Sequence, residues 1–148
     1  MTYVWDTNIF IKSLRNPDFL LMINNQFDCF NPSNAFLISA VTVGELYAFA
    51  LRSRWGSKRI TEMVQMIKLA QRIPVTDDMD MVQMYAGIDI YSQSKHPTLK
   101  LPTSARKMGK NDLWIATTAA LNNGILLSTD GDFDHLNGVF LSFNKIPD

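Results

Sequence analysis

Cysteine is almost absent from this sequence, since Cys29 is the only one among 148 residues. A single cysteine excludes an internal disulfide framework and a cysteine-rich zinc site, and it is compatible with a reducing cytosol. The chain also lacks any apolar run near the roughly 20 residues that a membrane-spanning helix needs. Its first residues contain no basic segment followed by an apolar stretch. We therefore predict no signal peptide and a cytoplasmic location.

An excess of charge of one sign is lacking as well, because 14 basic residues balance 14 acidic ones. Hydrophobic residues make up 47% of the chain and charged residues 19%, which are ordinary values for a globular protein. The length suits one domain with a sizeable core, and no repeat or low-complexity tract divides it. We therefore predict a single domain over residues 1–148.

The neutral total hides local concentrations of charge. Residues 52–72 carry six basic side chains against Glu62 alone, and residues 95–110 carry five and no acid. The segment that follows, residues 111–135, carries four acids and no lysine or arginine. This distribution is typical of basic patches beside an acidic pocket, although solvated helix faces also produce it.

Short apolar segments alternate with amphipathic ones, which predicts a parallel sheet covered by helices on both faces. The predicted strands are Thr2–Trp5, one within Ala35–Ala40, Pro74–Thr76, Ile125–Ser128 and Val139–Phe143. The predicted helices are Ile9–Leu14, one that begins at Pro17, one from about Thr42 to Arg54, Lys58–Arg72, Asp77–Ser94 and Asp112–Asn122. The segment Ser94–Met108 has two prolines and no apolar period, so we predict a long loop of the kind that often binds ligands.

Four acids occupy equivalent places in this predicted fold. Asp6 ends the first strand, and Glu45 follows the second strand near the start of a helix. Asp112 opens a helix, and Asp130 ends the strand that follows it. Strand ends and the helix starts that follow them share one edge of a parallel sheet. Each acid also has a local explanation, such as a capping box of Thr42 with Glu45, but together they predict a carboxylate cluster.

The chemistry of such a cluster follows from its charge. Neighbouring carboxylates repel one another and acquire raised pKa values unless a cation lies among them. The chain has no set of histidines and cysteines for zinc, whereas oxygen ligands suit Mg²⁺ or Mn²⁺. One or two such ions among carboxylates suit the hydrolysis of a phosphodiester bond.

Four segments together carry a family resemblance. They are VWDTNIFI near the N-terminus, ISAVTVGEL, GKNDLWIATTA, and LLSTDGDFDHL near the end. In this order and spacing they resemble the PIN-domain proteins, most closely the VapC-type toxins of bacterial toxin–antitoxin pairs. The resemblance implies a three-layer α/β/α sandwich with a mainly parallel central sheet, and Mg²⁺- or Mn²⁺-dependent endoribonuclease activity. It also implies homodimers and inhibition by a cognate antitoxin whose C-terminal segment wraps the toxin.

The same resemblance assigns roles to the acids. Asp6 and Asp112 would be the central metal ligands, and Glu45 would bind metal directly or through water. The fourth acid would be Asp130, with Asp132 as a close rival, because this copy of the last motif reads DGDFD. One of these carboxylates would orient or deprotonate the attacking water.

Polar and basic side chains around these acids complete the predicted site. The supporting polar groups would be Thr7, Asn8 and Ser128. The bases of the long loop lie just before Asp112, and we expect them to hold the RNA backbone. These predicted RNA-binding residues are Lys95, Lys100, Arg106, Lys107 and Lys110. We expect His135 at the surface or in a cap, with a place in the pocket as the alternative.

Three other functions compete with this interpretation. A catalytically silent PIN fold that binds RNA or a protein partner would lack one of the four acids, and none is lacking. A phosphoacceptor receiver domain would carry an acidic pair just after its first strand and a lysine after a late one, and neither arrangement is present. A housekeeping RNA-processing nuclease would share the whole site, and an adjacent antitoxin reading frame would distinguish the toxin from it.

Overall fold

The computed structural model describes every residue from Met1 to Asp148. Its strands are β1 (Thr2–Trp5), β2 (Ala35–Ser39), β3 (Gln71–Ile73), β4 (Ile125–Ser128) and β5 (Ser142–Lys145). Its α-helices are α1 (Thr7–Arg15), α2 (Pro17–Phe27), α3 (Ala40–Arg52), α4 (Ser57–Leu69), α5 (Met79–Ser92) and α6 (Lys110–Leu121). A 3-10 helix, Gly131–Leu136, follows β4.

The strands form one sheet in the order β3-β2-β1-β4-β5, and every pairing in it is parallel. The chain moves outward from β1 through β2 to β3, and it later returns to the other side of β1 with β4. The strand order therefore reverses between β1 and β4. In open parallel sheets, ligands bind at the carboxyl ends of the strands at such a switch point.

Helices cover both faces of the sheet. Alternate residues of each strand point to opposite faces, so β1 contributes to two apolar clusters. Tyr3 and Trp5 join an apolar cluster with α1, α2, α3 and α4, whereas Val4 joins a second cluster with α5 and α6. Burial of each large apolar side chain in these clusters contributes about 1.5–3 kcal/mol of stabilisation. The predicted three-layer α/β/α sandwich is confirmed. No helix combines the length and the apolar composition that a bilayer-spanning segment requires.

Two of the predicted strands were misplaced. The third strand is Gln71–Ile73 and not Pro74–Thr76, because α4 ends at Leu69 and the backbone of Ala70 is already extended. Pro74 has no N–H to donate and favours extended backbone at Ile73, so it ends this strand and does not begin it.

The last strand is Ser142–Lys145 and not Val139–Phe143. Val139 and Phe140 belong to a turn, in which both of their N–H groups donate to the Leu136 carbonyl at 3.1 and 3.2 Å. Gly138, with φ of +76°, makes this turn possible. The apolar character of Val139 therefore misled the prediction, since its side chain is 44% exposed.

Candidate metal centre

Asp6 lies at the switch point, directly after β1, and caps the first turn of α1. Its Oδ1 accepts a hydrogen bond of 2.7 Å from the N–H of Thr7. Its Oδ2 accepts one of 2.7 Å from the hydroxyl of Ser128, the last residue of β4. The Asp6 carboxylate is buried, with 5% of the residue exposed. Both of its oxygens are thus fixed, one from each side of the switch point.

Ser128 and Asn8 join the start of α1 to the acidic segment after β4. The fully buried Ser128 Oγ accepts hydrogen bonds from Asn8 Nδ2 at 3.2 Å and from the N–H of Asp130 at 3.0 Å. Asn8 Oδ1 accepts from the N–H of Thr129 at 3.3 Å. The structure therefore brings the predicted polar groups Asn8 and Ser128 into contact with each other and with the acidic segment.

Glu45 reaches the same edge from α3. Its Oε1 accepts a hydrogen bond of 2.7 Å from Thr7 Oγ1, and its Oε2 accepts one of 3.3 Å from Asn111 Nδ2. The alternative explanation of Glu45, a capping box with Thr42, is excluded, because Ser39 caps α3 and Glu45 lies beyond the first turn. The hydroxyl of Thr42 lies instead 3.2 Å from that of Thr7. Glu45 consequently points at the site and does not satisfy the backbone of its own helix.

Three more carboxylates meet where α6 begins and β4 ends. One oxygen from each of Asp112, Asp130 and Asp132 lies within 4.8 Å of the others. Asp112 is in the first turn of α6, and Asp130 caps the 3-10 helix by accepting from the N–H of Asp132 at 3.0 Å. The sequence left Asp130 and Asp132 as rivals, and the structure brings both to Asp112. Such a set of oxygen donors fits a hard divalent cation.

The electrostatics of the site oppose ionisation of its acids. Burial raises the pKa of Asp6 to about 6, with the charges of Glu45 and Asp130 adding to the effect and the Ser128 and Thr7 hydrogen bonds opposing it. Burial also raises the pKa of Asp112 to about 7. The charges of the other four acids, Asp6, Asp130, Glu45 and Asp132, raise it further. A bound cation would relieve this repulsion and restore the ionised forms.

The sequence pattern of the PIN domain family matches residues 3–139. The chain belongs to the PIN domain family. The match extends from the Asp6 segment to the 3-10 helix and so includes all five acids of the site. It confirms the family resemblance.

Known members of the family extend this likeness. Ribonuclease VapC1 of Haemophilus influenzae strain R2866 is 27% identical over 128 residues, which cover 86% of each chain. Two solved complexes align over 98% of both chains. They are VapBC2 from Rickettsia felis bound to a DNA fragment from their promoter (TM-score 0.76, 17% identity) and VapBC-1 from nontypeable Haemophilus influenzae (TM-score 0.72, 21% identity). At these identities the structural likeness shows the PIN fold.

The long loop of this PIN domain is attached to the acidic segment through Arg106. The Arg106 N–H donates to the Ser92 carbonyl at 2.8 Å, and its guanidinium donates to the Gly131 carbonyl at 3.4 Å. Burial and the neighbouring Asp130 raise the pKa of Asp132, while the nearby Arg106 charge lowers it. Arg106 is half-buried. The other predicted RNA-binding residues are exposed, namely Lys95, Lys100, Lys107 and Lys110.

Asn111 is a site residue that the sequence reasoning missed. Its amide is one of the two hydrogen-bond donors to Glu45, and it lines an open cleft of about 360 Å³ with Glu45, Gly109, Lys110 and Asp112. Its position immediately before Asp112, at the start of the PIN domain's α6, could have identified it as a site residue.

His135 is neither at the surface nor in a cap, so the expectation for it was wrong. Its Nε2 lies 2.6 Å from Ser92 Oγ, and its ring stacks on Tyr91 with centroids 6.2 Å apart. Burial lowers the pKa of His135 to about 4, and the Arg106 charge adds to this effect. In this PIN domain the residue therefore packs the 3-10 helix against α5 as a neutral imidazole.

Proposed function

We propose that this protein is a metal-dependent endoribonuclease, the toxin of a toxin–antitoxin pair, and that residues 1–148 form one catalytic domain. The observation that carries the proposal is the convergence of five carboxylates, led by Asp6 and Asp112, at one sheet edge. Buried acids in this arrangement destabilise their own ionised forms, which is unfavourable unless the site binds a cation. The relative named Ribonuclease VapC1 supports RNA as the substrate.

The donor set of the centre fits Mg²⁺ or Mn²⁺, because it contains carboxylate oxygens and neither a histidine nitrogen nor a cysteine sulfur. The residues that would hold the ion are Asp6, Glu45, Asp112, Asp130 and Asp132. The chemistry that such an ion supplies when bound is activation of water and stabilisation of negative charge on the reacting phosphate.

The protein's own contribution is to orient these acids before substrate arrives. Ser128 and the N–H of Thr7 fix both oxygens of Asp6, and the Thr7 hydroxyl and Asn111 fix both oxygens of Glu45. Hydrogen bonds of this kind to metal-binding carboxylates typically improve metal affinity or activity about 10–100-fold. One carboxylate of the cluster would orient the attacking water.

The substrate and partners complete the proposal. The exposed lysines of the long loop would contact the RNA backbone, and Arg106 has further N–H donors for a phosphate beside its bond to Gly131. Relatives solved as VapBC complexes, one of which is described as a member of a toxin–antitoxin family, support a cognate antitoxin partner. We also propose that the protein forms a homodimer, which light scattering of the purified protein tests.

Cleavage of cellular RNA tests the proposed activity. Induction of the protein should produce new RNA ends at defined positions, which sequencing of the ends will locate. Asp6→Asn, which keeps the side-chain shape and removes the charge, should abolish these ends. Asp18→Asn, at an exposed acid in the first turn of α2, is the matched control and should behave like the unaltered protein. Equal cleavage by the Asp6→Asn protein would overturn the proposal.

A further inference from the structure

A cluster of basic side chains lies where α1 and α3 end and α4 begins, away from the carboxylates. We call it the arginine cluster, and its members are Arg15, Arg52, Arg54, Lys58 and Arg59. All are exposed except Arg59, which is half-buried. The metal centre described above uses none of these residues.

Two aromatic rings hold three of the guanidinium groups. The Arg15 and Arg52 Cζ atoms lie 5.0 and 5.8 Å from the ring centroid of Phe49, and the Arg59 Cζ lies 5.3 Å from that of Trp55. The two rings contact each other edge to face, with centroids 5.6 Å apart. Guanidinium groups stacked on aromatic faces keep their N–H donors free at the edges. The cluster is therefore ordered in advance for an anionic ligand.

None of the five cations has a carboxylate within 4.0 Å, since the only side-chain ion pair of the chain joins Lys12 to Asp148. Arg54, Lys58 and Arg59 instead line an open cavity of about 510 Å³, together with Trp55 and Glu62. Unpaired like charges in such proximity raise the local positive potential and attract anions.

The arginine cluster and the metal centre are the two ends of one pair of helices. Glu45, Phe49 and Arg52 are spaced i, i+4 and i+7, so they share a face of α3. At a rise of 1.5 Å per residue, Arg52 lies about 10 Å along the axis from Glu45. The adjacent α1 contacts Glu45 through Thr7 at one end and Phe49 through Arg15 at the other.

We propose that the arginine cluster is a second contact site for RNA, which holds the sugar–phosphate backbone of a strand whose scissile bond lies at the metal centre. This proposal rests on the proposed ribonuclease function. RNA is favoured over an acidic protein segment because the cluster continues the face of α3 that carries Glu45, so one continuous strand reaches both sites. Four of the five cations are arginines, whose planar fork matches phosphate geometry.

Binding of single-stranded RNAs of two lengths, about 4 and about 16 nucleotides, tests the proposal by fluorescence anisotropy in the presence of EDTA. The test variant is Arg54→Gln/Lys58→Gln, which leaves the stacked arginines in place. The matched control is Lys68→Gln/Arg72→Gln, which removes two exposed charges of the same basic segment outside the cluster. Thermal unfolding of both variants checks that they fold.

We expect the test variant to bind the longer RNA about tenfold more weakly than the control variant does. The slope of log affinity against log salt should fall by about 1.4, which corresponds to two lost phosphate contacts on a single strand. The short RNA can occupy the arginine cluster by itself, so its weaker binding should also fall in the test variant and not in the control variant. Unchanged affinity and salt slope for the longer RNA would overturn the proposal. The same assay with poly-glutamate tests an acidic protein segment as the ligand, and loss of poly-glutamate binding in the test variant with RNA binding retained would also overturn it.

Cleavage distinguishes this outcome from failure of the proposed function. If the unaltered protein with Mn²⁺ leaves every RNA intact, the proposed function fails whatever the binding results are. If it cleaves RNA while the test variant binds and cleaves the longer RNA like the control variant, only the second contact site is wrong.

Discussion

Thr7 donates a side-chain hydrogen bond of 2.7 Å to Glu45, from which it is separated by 38 residues of chain. The N–H of the same residue donates to Asp6 at 2.7 Å. One threonine thus orients an acid that follows β1 and an acid carried by α3. The two halves of the proposed site depend on each other through this residue, and the dependence can be tested by substitution.

Replacement of Thr7 by valine should reduce activity through Glu45 while leaving the backbone contact to Asp6 intact. The Thr7→Val protein retains the shape of the side chain but lacks the hydroxyl. We expect about tenfold weaker Mn²⁺ binding, measured by titration calorimetry, and a similar fall in the rate of RNA cleavage. Thr7→Ser keeps the hydroxyl and is the control. The role given to Thr7 is wrong if the valine and serine variants bind Mn²⁺ equally.

Removal of the Ser128 hydroxyl should lower the stability of the protein. Ser128→Ala deletes a buried donor to Asp6 and a buried acceptor for Asn8 and for the Asp130 N–H. We expect a loss of about 1–3 kcal/mol in the free energy of unfolding, measured with urea, because partners of a deleted group remain unsatisfied. The exposed Ser142 of β5 provides the control, and Ser142→Ala should leave the free energy of unfolding unchanged. Equal stability of the two variants would contradict the central position of Ser128.

The site was predictable from sequence where a local pattern and a general rule of topology agree. Strands β1 and β4 are short and apolar, and both were placed at their observed ends. Because parallel strands end at a common edge, Asp6, Asp112 and Asp130 could be assigned to one place without knowledge of any contact.

The rest depended on tertiary contacts that no local pattern encodes. Glu45 fits a capping box by spacing, but Ser39 begins the helix earlier, and Thr7 and Asn111 then determine where the glutamate points. His135 follows an acidic segment that is typical of an exposed loop, but the 3-10 helix places its ring in contact with Tyr91 and Ser92.

The raised pKa values of Asp6 and Asp112 predict a pH dependence of stability for the metal-free protein. Both groups bind protons more tightly when the chain is folded, with pKa values of about 6 and about 7 against 3.8 for an unperturbed carboxyl. Their stabilising contribution is therefore present below about pH 4 and is lost as the pH rises through these folded values. His135 acts in the opposite direction, since its lowered pKa makes the protein less stable as the pH falls from 6.5 towards about 4.

The two effects can be separated with variants and metal. We expect the unfolding free energy of Asp6→Asn, relative to that of the unaltered protein, to rise as the pH increases from about 4 to about 7. Urea unfolding at a series of pH values measures this difference, from which the His135 contribution cancels. Saturating Mg²⁺ or Mn²⁺ should stabilise the unaltered protein more at pH 7 than at pH 5, because bound metal needs ionised acids. A pH-independent difference would show that Asp6 ionises normally in the folded chain.

Arg106 and Lys107 are adjacent bases of the long loop, but their contacts predict different phenotypes. Lys107 is exposed, so Lys107→Ala should weaken RNA binding and lower its salt dependence by about 0.7 in slope, the value for one phosphate contact.

Arg106→Ala should weaken RNA binding in the same way. It should also weaken Mn²⁺ binding in the absence of RNA, because the guanidinium holds the Gly131 carbonyl between Asp130 and Asp132. Arg106→Lys keeps the charge and loses the fork, so it should recover part of the RNA affinity and little of the metal affinity. If neither alanine variant alters RNA affinity or its salt dependence, the loop does not hold the RNA backbone. If Arg106→Ala binds Mn²⁺ as Lys107→Ala does, Arg106 does not position the acidic segment.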